Sequence, residues 1–494
     1  MEKYISVIGG GLAGSEAAYQ IAKRGIRVKL YEMKPNKFSA AHSNNNLAEI
    51  VCSNSFKSNL HTNACGLLKE ELRLLDSLLI KTADETAVPA GQALAVDREK
   101  FAKEVTKKIE SLENVEIIRE EVGKDISLKG LAKEGIVIVA TGPLTSDSLS
   151  REIIELTGDS GLHFYDAAAP ILEKDSIDMN IAFWGDRYSE ERAKDEDIDE
   201  WKERIQKEKN NSYINLPMNK EEYEMFWNEL VNAEIVELHE FEKREIFEGC
   251  MPIEVMAKRG IDTLRFGPLK PVGFTDMRTG KRPYAVVQLR QDNSEGNLFN
   301  MVGFQTNLKF GEQKRVFSLI PGLKNAEFVK YGVMHRNTFI NSPELLDETY
   351  NLKKDNNIFF AGQITGVEGY VESIASGVVA ALNAVSKLKE TKKTVFSEYT
   401  MIGALSKYIA TPSSNFQPMN ANFGILPSLE EKIKDKKLKY TKLADRAISE
   451  LKNNITNLWH LYYKTEILLQ RQYKNDNINL NLWYWLQVYI INWH

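Results

Sequence analysis

Tyr4-Ile5-Ser6-Val7-Ile8-Gly9-Gly10-Gly11-Leu12-Ala13-Gly14 is the stretch that decides how the chain is read. Its first five residues, mostly apolar and β-branched, read as a buried strand, and the glycine turn opens a helix over 12–24. A GxGxxG pattern alone is a weak signal, but the context here strengthens it. Arg27-Val28-Lys29-Leu30-Tyr31-Glu32 reads as a second strand, and Glu32 falls 18 residues after Gly14 at its end. In that setting Gly9 makes the tight turn, Gly11 lets backbone approach a pyrophosphate, and Gly14 lets helix pack on strand. The helix N-terminus, with Gly10, Leu12 and Ala13 around it, offers N–H donors and a positive dipole end to phosphates. Glu32 is placed to accept from ribose hydroxyls.

NAD and FAD share this fingerprint. Two further segments separate them: Ala140-Thr141-Gly142 closes an apolar strand, and Ala361-Gly362-Gln363 closes another just before a small-residue helix over 369–388. Grips so far apart in the chain suit a long, extended FAD, so Thr141, Gly142, Gly362 and Gln363 join the candidate cofactor residues. There is no second GxGxxG, so NADH or NADPH is expected to visit the flavin and leave. The expected fold is α/β: a Rossmann-like FAD-binding domain of the glutathione-reductase-like kind, split by an inserted α+β domain. The first part of the FAD domain is expected at 1–160, the insertion at 161–330 and the second part at 331–430. A helical or disordered extension follows at 431–494. Continuous helical periodicity runs over 67–80 and again over 98–112.

The chain's 494 residues can bury more than one core, and a net charge of −5 with 27% charged residues is ordinary for an enzyme. Three scattered cysteines form neither a disulfide framework nor a CxxC site, which points to a reducing, cytoplasmic setting. The seven histidines show no zinc-binding spacing, so no metal is expected. No membrane span and no targeting segment are expected either. The segment 189–210 is charge-dense with mixed signs and reads as a solvated helix. Four of the seven tryptophans fall in the tail beyond residue 453, where nothing resembles a catalytic element.

The cysteines divide by context. Cys65 starts a helix and fits a small buried hydrophobe. Cys52 lies in the polar run Val51-Cys52-Ser53-Asn54-Ser55, and Cys250 in the turn-like Glu248-Gly249-Cys250-Met251-Pro252. Lys258, Arg259 and Arg265 follow Cys250 closely, and nearby positive charge favours a thiolate. From 258 to 290, eight Lys/Arg stand against only Asp262 and Asp276, which reads as a phosphate-backbone footprint.

These boxes together resemble the TrmFO family of folate- and FAD-dependent tRNA (uracil-5-)-methyltransferases. The likeness runs from Val7 to about Gly424 and includes 9–16, 49–55, 88–91, 93–98, 140–146, 247–254, 266–268, 270–273, 286–291, 302–306, 334–339, 361–370 and 416–420. The resemblance implies that reduced FAD takes a one-carbon unit from 5,10-methylenetetrahydrofolate, and that a cysteine thiolate attacks C6 of a uridine so that C5 captures the carbon. NAD(P)H then recharges the flavin. It implies Cys250 as nucleophile and Cys52 beside the flavin, as a base or as a thiol protecting the active flavin. It further implies His335 against the pterin, with Arg265, Lys270, Arg282 and Arg336 toward RNA phosphate or folate glutamate. The RNA partner is a tRNA, with the T-loop uridine as default, and a ribosomal RNA uridine as an alternative. A wobble-uridine modifier like the MnmG family, and a non-catalytic RNA-binding flavoprotein, are two further alternatives. Three departures from the family pattern stand out: Gln92 in place of a glycine, Leu216 in place of a cysteine, and a longer 189–210 segment.

Overall fold

The computed structural model describes residues 3–39, 41–158, 162–187, 213–236, 251–276, 278–413 and 416–472, with Asp197 and Glu200. The opening run forms the strand Tyr4–Ile8, buried from Ile5 onward. It lies at the centre of a five-stranded sheet ordered Ile358–Phe360, Ile136–Val139, Tyr4–Ile8, Arg27–Tyr31, Val115–Ile118. All four pairings are parallel. Strands this apolar, buried on both faces, are what a parallel sheet covered by helices requires. The sheet is the α/β, Rossmann-like arrangement that the sequence implied.

Two helices, Leu12–Ala22 and Tyr370–Leu388, pack against each other beside this sheet. Missing side chains set the closeness of helix to strand end and of helix to helix. A Cβ on Gly14 would lie 1.8 Å from the Gly9 carbonyl oxygen, and one on Gly377 would lie 2.4 Å from that of Ala13. The helix Tyr370–Leu388 is long and apolar enough to cross a membrane, yet every residue from 371 to 386 is buried within the protein. The periodicity over 67–80 breaks into two helices, Ala64–Leu74 and Leu78–Glu85. Asp76 turns left-handed (φ 59°) and the Ser77 side chain accepts from the Ile80 N–H, so a new cap interrupts the apolar pattern. The helix Lys436–Gln472 buries Leu443, Ala444, Ala447 and Leu451 against this same core.

A second core lies over a six-stranded antiparallel sheet, ordered Phe183–Trp184, Tyr213–Met218, Ala285–Gln291, Leu298–Met301, Ile171–Glu173, Phe328–Lys330. Leu216 faces this core fully buried, so the position that differs from the family pattern is a packing position here. Gln92, the other point departure, does not adopt a left-handed backbone, and the turn's positive φ falls on Gly91. An antiparallel ribbon, Leu162–Ala167 with Met334–Phe339, carries the chain out to the second core and back.

If Gly377 sets the helix spacing, Gly377→Ala lowers stability by roughly 1–3 kcal/mol, the usual effect of overpacking. Gly311→Ala, at a helical site with nothing within 4 Å of the added Cβ, leaves it unchanged or slightly raised. Thermal unfolding of the two variants checks this, and equal melting temperatures would contradict it.

Candidate functional site

A cleft opens at the carboxyl ends of the central strands. Gly9, Gly10, Gly11, Glu32, Lys34, Glu49, Thr141 and Thr145 are among its lining residues. Glu32 is fixed rather than free to swing: its Oε2 accepts from the Gly10 N–H and its Oε1 from the Lys34 N–H, both at 2.9 Å. Gly9 (φ 97°) has no room for a side chain, since a Cβ would lie 2.7 Å from the Ala140 carbonyl oxygen. Gly11 is different, because a Cβ there would meet nothing within 4 Å. The helix Leu12–Ala22 begins at Gly11 with no side-chain cap, and Tyr370–Leu388 begins at Gly369 likewise. The helix start at Gly11, without a side-chain cap and facing open space in the cleft, is what a pyrophosphate would satisfy, whereas the Glu372 carboxylate lies against the start at Gly369. The residues therefore fit a dinucleotide.

The remaining cofactor candidates surround that helix start. Leu12 is half-buried, while Ala13 is buried and would touch a Cβ on Gly362 at 3.0 Å. The Gly362 N–H donates to Ser376 Oγ at 2.6 Å. Gln363 Nε2 donates to Glu368 Oε2 at 2.5 Å, so the side chain is engaged within its own turn. Thr141 Oγ1 lies 2.7 Å from Thr145 Oγ1, and Gly142 is left-handed at φ 65°.

Cys52 sits in a loop held from several sides. The Tyr370 hydroxyl accepts from the backbone N–H groups of Cys52 (3.1 Å) and Ser53 (3.2 Å) and lies 2.9 Å from Cys52 Sγ. A phenol has one hydrogen and two lone pairs, so with both lone pairs taken the hydroxyl is left as donor to sulfur. Burial, and then the neighbouring Cys52, push Tyr370 well above the ordinary tyrosine range, which keeps that hydrogen in place. A donor aimed at sulfur favours the thiolate.

Arginines complete the clamp. Arg290, on the strand Ala285–Gln291 of the second core, is 7% exposed and donates to Asn54 Oδ1 and Ser53 Oγ, each at 2.8 Å. Arg98 donates to the Val51 carbonyl at 2.8 Å and to Asp292 Oδ1 at 3.0 Å. Asn54 Nδ2 in turn donates to the carbonyls of Val96 (3.0 Å) and Gln291 (2.8 Å). Asp97 accepts from the Ser294 N–H and hydroxyl at 2.8 and 2.7 Å and caps the helix Arg98–Glu110. Cys65 is plainly structural: it is buried, close to the Phe56 carbonyl and Lys69, and burial pushes its thiol up to about 11.

The basic stretch is not one solvent-facing face, contrary to its reading from the sequence. Arg290 is buried in the clamp. Arg278 is bonded to Asp276 and Glu222, and Arg265 to Asp262 with its guanidinium 3.5 Å from the Tyr284 ring centroid. Local carboxylates and an aromatic ring claim these cations first. Lys270 is half-buried and Arg282 is exposed, neither with an ion-pair partner among the described residues. His335 and Arg336 occupy ribbon positions opposite Asp166 and Tyr165. Cys250 lies outside the described residues, as do most of 189–210 and the tail from 473 onward.

The model of the family described as "Glucose inhibited division protein A" matches residues 4–392. The chain belongs to this family, on its TrmFO branch. It is 61% identical to the methylenetetrahydrofolate--tRNA-(uracil-5-)-methyltransferase TrmFO of Acetivibrio thermocellus, over 92% of this chain and 99% of that one. It is 56% identical to the protein of the same name from Fusobacterium nucleatum, again over 92% and 99%. Among solved structures, GidA of Aquifex aeolicus (form I crystal) superposes with a TM-score of 0.61 at 18% identity, covering 97% of this chain and 81% of that one. That likeness concerns the fold.

Arg98, Asn54, Arg290 and Tyr370 were not singled out from the sequence, although each lies within a box quoted above. Their only signal was that membership. Two outcomes test the clamp. Tyr370→Phe removes the donor to sulfur, so the pH profile of Cys52 alkylation moves to higher pH; an unmoved profile would contradict the assignment. Asp97 is held below the usual carboxylate range: burial alone would raise it, but bonds from Ser294 and the Lys100 N–H outweigh that. A lowered native value gives stability that is present above the unfolded value of about 3.9 and lost as pH falls through the native one. Asp97→Asn should therefore flatten the acid limb of a stability–pH curve below ~pH 4, and an identical acid limb would exclude this role.

Proposed function

We propose that this chain methylates C5 of a uridine in tRNA, taking the carbon from 5,10-methylenetetrahydrofolate with FAD as cofactor and NADH or NADPH as reductant. The observation that carries this reading is the Cys52 loop, fixed to Tyr370 at the start of a helix that has no side-chain cap and packs against the nucleotide-binding helix. A dehydrogenase needs no thiol clamped there. The named relatives at this identity support the same activity.

FAD, held by Gly9, Gly10, Gly11, Gly14 and Glu32, with Thr141, Gly142 and the turn at Gly362 and Gln363, would supply the redox and one-carbon chemistry. The protein's own residues bind, orient and move protons. Cys250 attacks C6 of the uridine, which places electron density at C5. Cys52, kept in register by Tyr370, Arg98 and Arg290, acts on the C5 proton or guards the cofactor. His335 is assigned to the folate pterin, and Arg336, Lys270 and Arg282 to phosphate or folate glutamate, whereas Arg265, already held by Asp262 and Tyr284, drops out of that set. The T-loop uridine is the default target, in the cytoplasm where tRNA is processed. The target base must leave its stack to reach the site.

Methyl transfer from carbon-labelled 5,10-methylenetetrahydrofolate to total tRNA and to ribosomal RNA, assayed separately with the product nucleotide mapped, tests the reading. Label is expected in 5-methyluridine of tRNA. Label confined to ribosomal RNA, or in another nucleotide, would contradict it. Cys250→Ala should retain flavin and lose at least ~10³-fold in rate, as nucleophile removal does; wild-type turnover would remove Cys250 from its role.

A further inference from the structure

Phe266 is 83% exposed, well beyond the next most exposed large apolar side chain among the described residues, Phe310 at 57%. It ends the short helix Thr263–Phe266, and the backbone that presents it is pinned from beneath. Leu264 is fully buried in the second core, and the Leu269 N–H returns to the Leu264 carbonyl at 2.9 Å. The Tyr223 hydroxyl donates to the Ile261 carbonyl at 2.5 Å, and Trp227 Nε1 donates to the Ala257 carbonyl at 3.0 Å. Next to Phe266, Arg265 Nε donates to the Tyr284 carbonyl at 2.9 Å while its guanidinium lies over the Tyr284 ring. The ring is thus held out into solvent by a rigid support.

The segment that runs alongside it carries cations. The Val286 N–H bonds the Leu269 carbonyl at 3.1 Å, so the segments around 266 and 284 run side by side. Just before Tyr284 stand Lys281 and Arg282, both exposed and without an ion pair among the described residues. The nearest acid in sequence, Asp262, is already paired with Arg265 at 2.5 Å. An apolar ring for a protein partner would be framed by further apolar surface and neutralised charge. A flat aromatic ring beside unpaired cations, on a chain of net charge −5, fits nucleic acid: a π-face for a base and cations for the backbone.

We propose that Phe266 is the ring on which an unstacked nucleobase of the RNA substrate packs, with Lys281 and Arg282 holding the phosphates that flank it. The inference rests on the RNA-modifying function proposed above and adds the surface that receives the RNA. It also gives a purpose to Phe266-Gly267-Pro268, a box that the cofactor and thiol chemistry leave unused.

The test uses the full-length, flavin-loaded protein and three variants: Phe266→Ala, Phe266→Trp and the double variant Lys281→Ala/Arg282→Ala. Affinity is measured for tRNA and for ribosomal RNA over a salt series, with flavin reduction by NAD(P)H and sedimentation as controls. Because Phe266 is exposed, Phe266→Ala should keep its flavin, its reduction rate and its melting temperature. Its affinity for the RNA that the wild type methylates should fall roughly tenfold or more, at an unchanged salt slope, while Phe266→Trp stays within ~twofold of wild type. The double variant should lower the slope of log affinity against log salt by about one to two. Wild-type RNA affinity and methylation in Phe266→Ala would overturn the inference. So would a change confined to sedimentation, which would make this surface a contact between copies of the chain. If the wild type methylates no RNA, the proposed function fails on its own, and the affinity of Phe266→Ala for RNA still decides the stacking role.

Discussion

The buried guanidinium of Arg290 is the interaction on which the candidate site depends. It comes from the antiparallel sheet of one core and bonds Ser53 and Asn54 in a loop belonging to the other. Burial disfavours its charge, and the direct partners given to it are neutral oxygens rather than a carboxylate. Holding a cation this way is costly unless every hydrogen is met, and removal of one partner leaves the rest exposed to that cost. The consequence is positional. Arg290, Arg98 and the Asp97–Ser294 bonds tie the two cores together at the loop that carries Cys52.

The other half of the site is made by absence of side chains. Gly14 and Gly377 let two helices and a strand approach to distances that no Cβ would allow. That contact brings the helix starts at Gly11 and Gly369, neither with a side-chain cap, onto the same packed pair of helices. Tyr370 follows Gly369 directly, so the helix that packs on the nucleotide-binding helix also delivers the hydroxyl that holds Cys52. Cofactor binding and thiol placement therefore share one packed pair of helices, and neither can shift without the other.

How far this could be read from the sequence follows from the range of each constraint. The fingerprint was legible because its glycines answer to atoms only a few residues or one strand away, and the parallel sheet followed from its buried, β-branched strands. The break at Asp76-Ser77 was hidden because apolar periodicity continues across a local cap. The clamp was hidden for a different reason. Arg98 reaches Val51 across 47 residues, Arg290 reaches Asn54 across 236, and Tyr370 reaches Cys52 across 318. No window of periodicity registers such pairs. The basic stretch misled because a count of charges cannot tell a cation facing water from one already met by Asp276, Asp262 or Asn54.

The second core positions the thiol loop of the first. The most direct measurement is the rate of methyl transfer from labelled 5,10-methylenetetrahydrofolate to tRNA by Arg290→Met, with bound flavin quantified in the same preparation and Arg290→Lys as a folding control. The expected result is full flavin content with a rate lowered at least ~tenfold, an interaction lost between loop and support rather than a lost cofactor. An Arg290→Met enzyme that keeps its flavin and methylates tRNA at the wild-type rate would contradict the account.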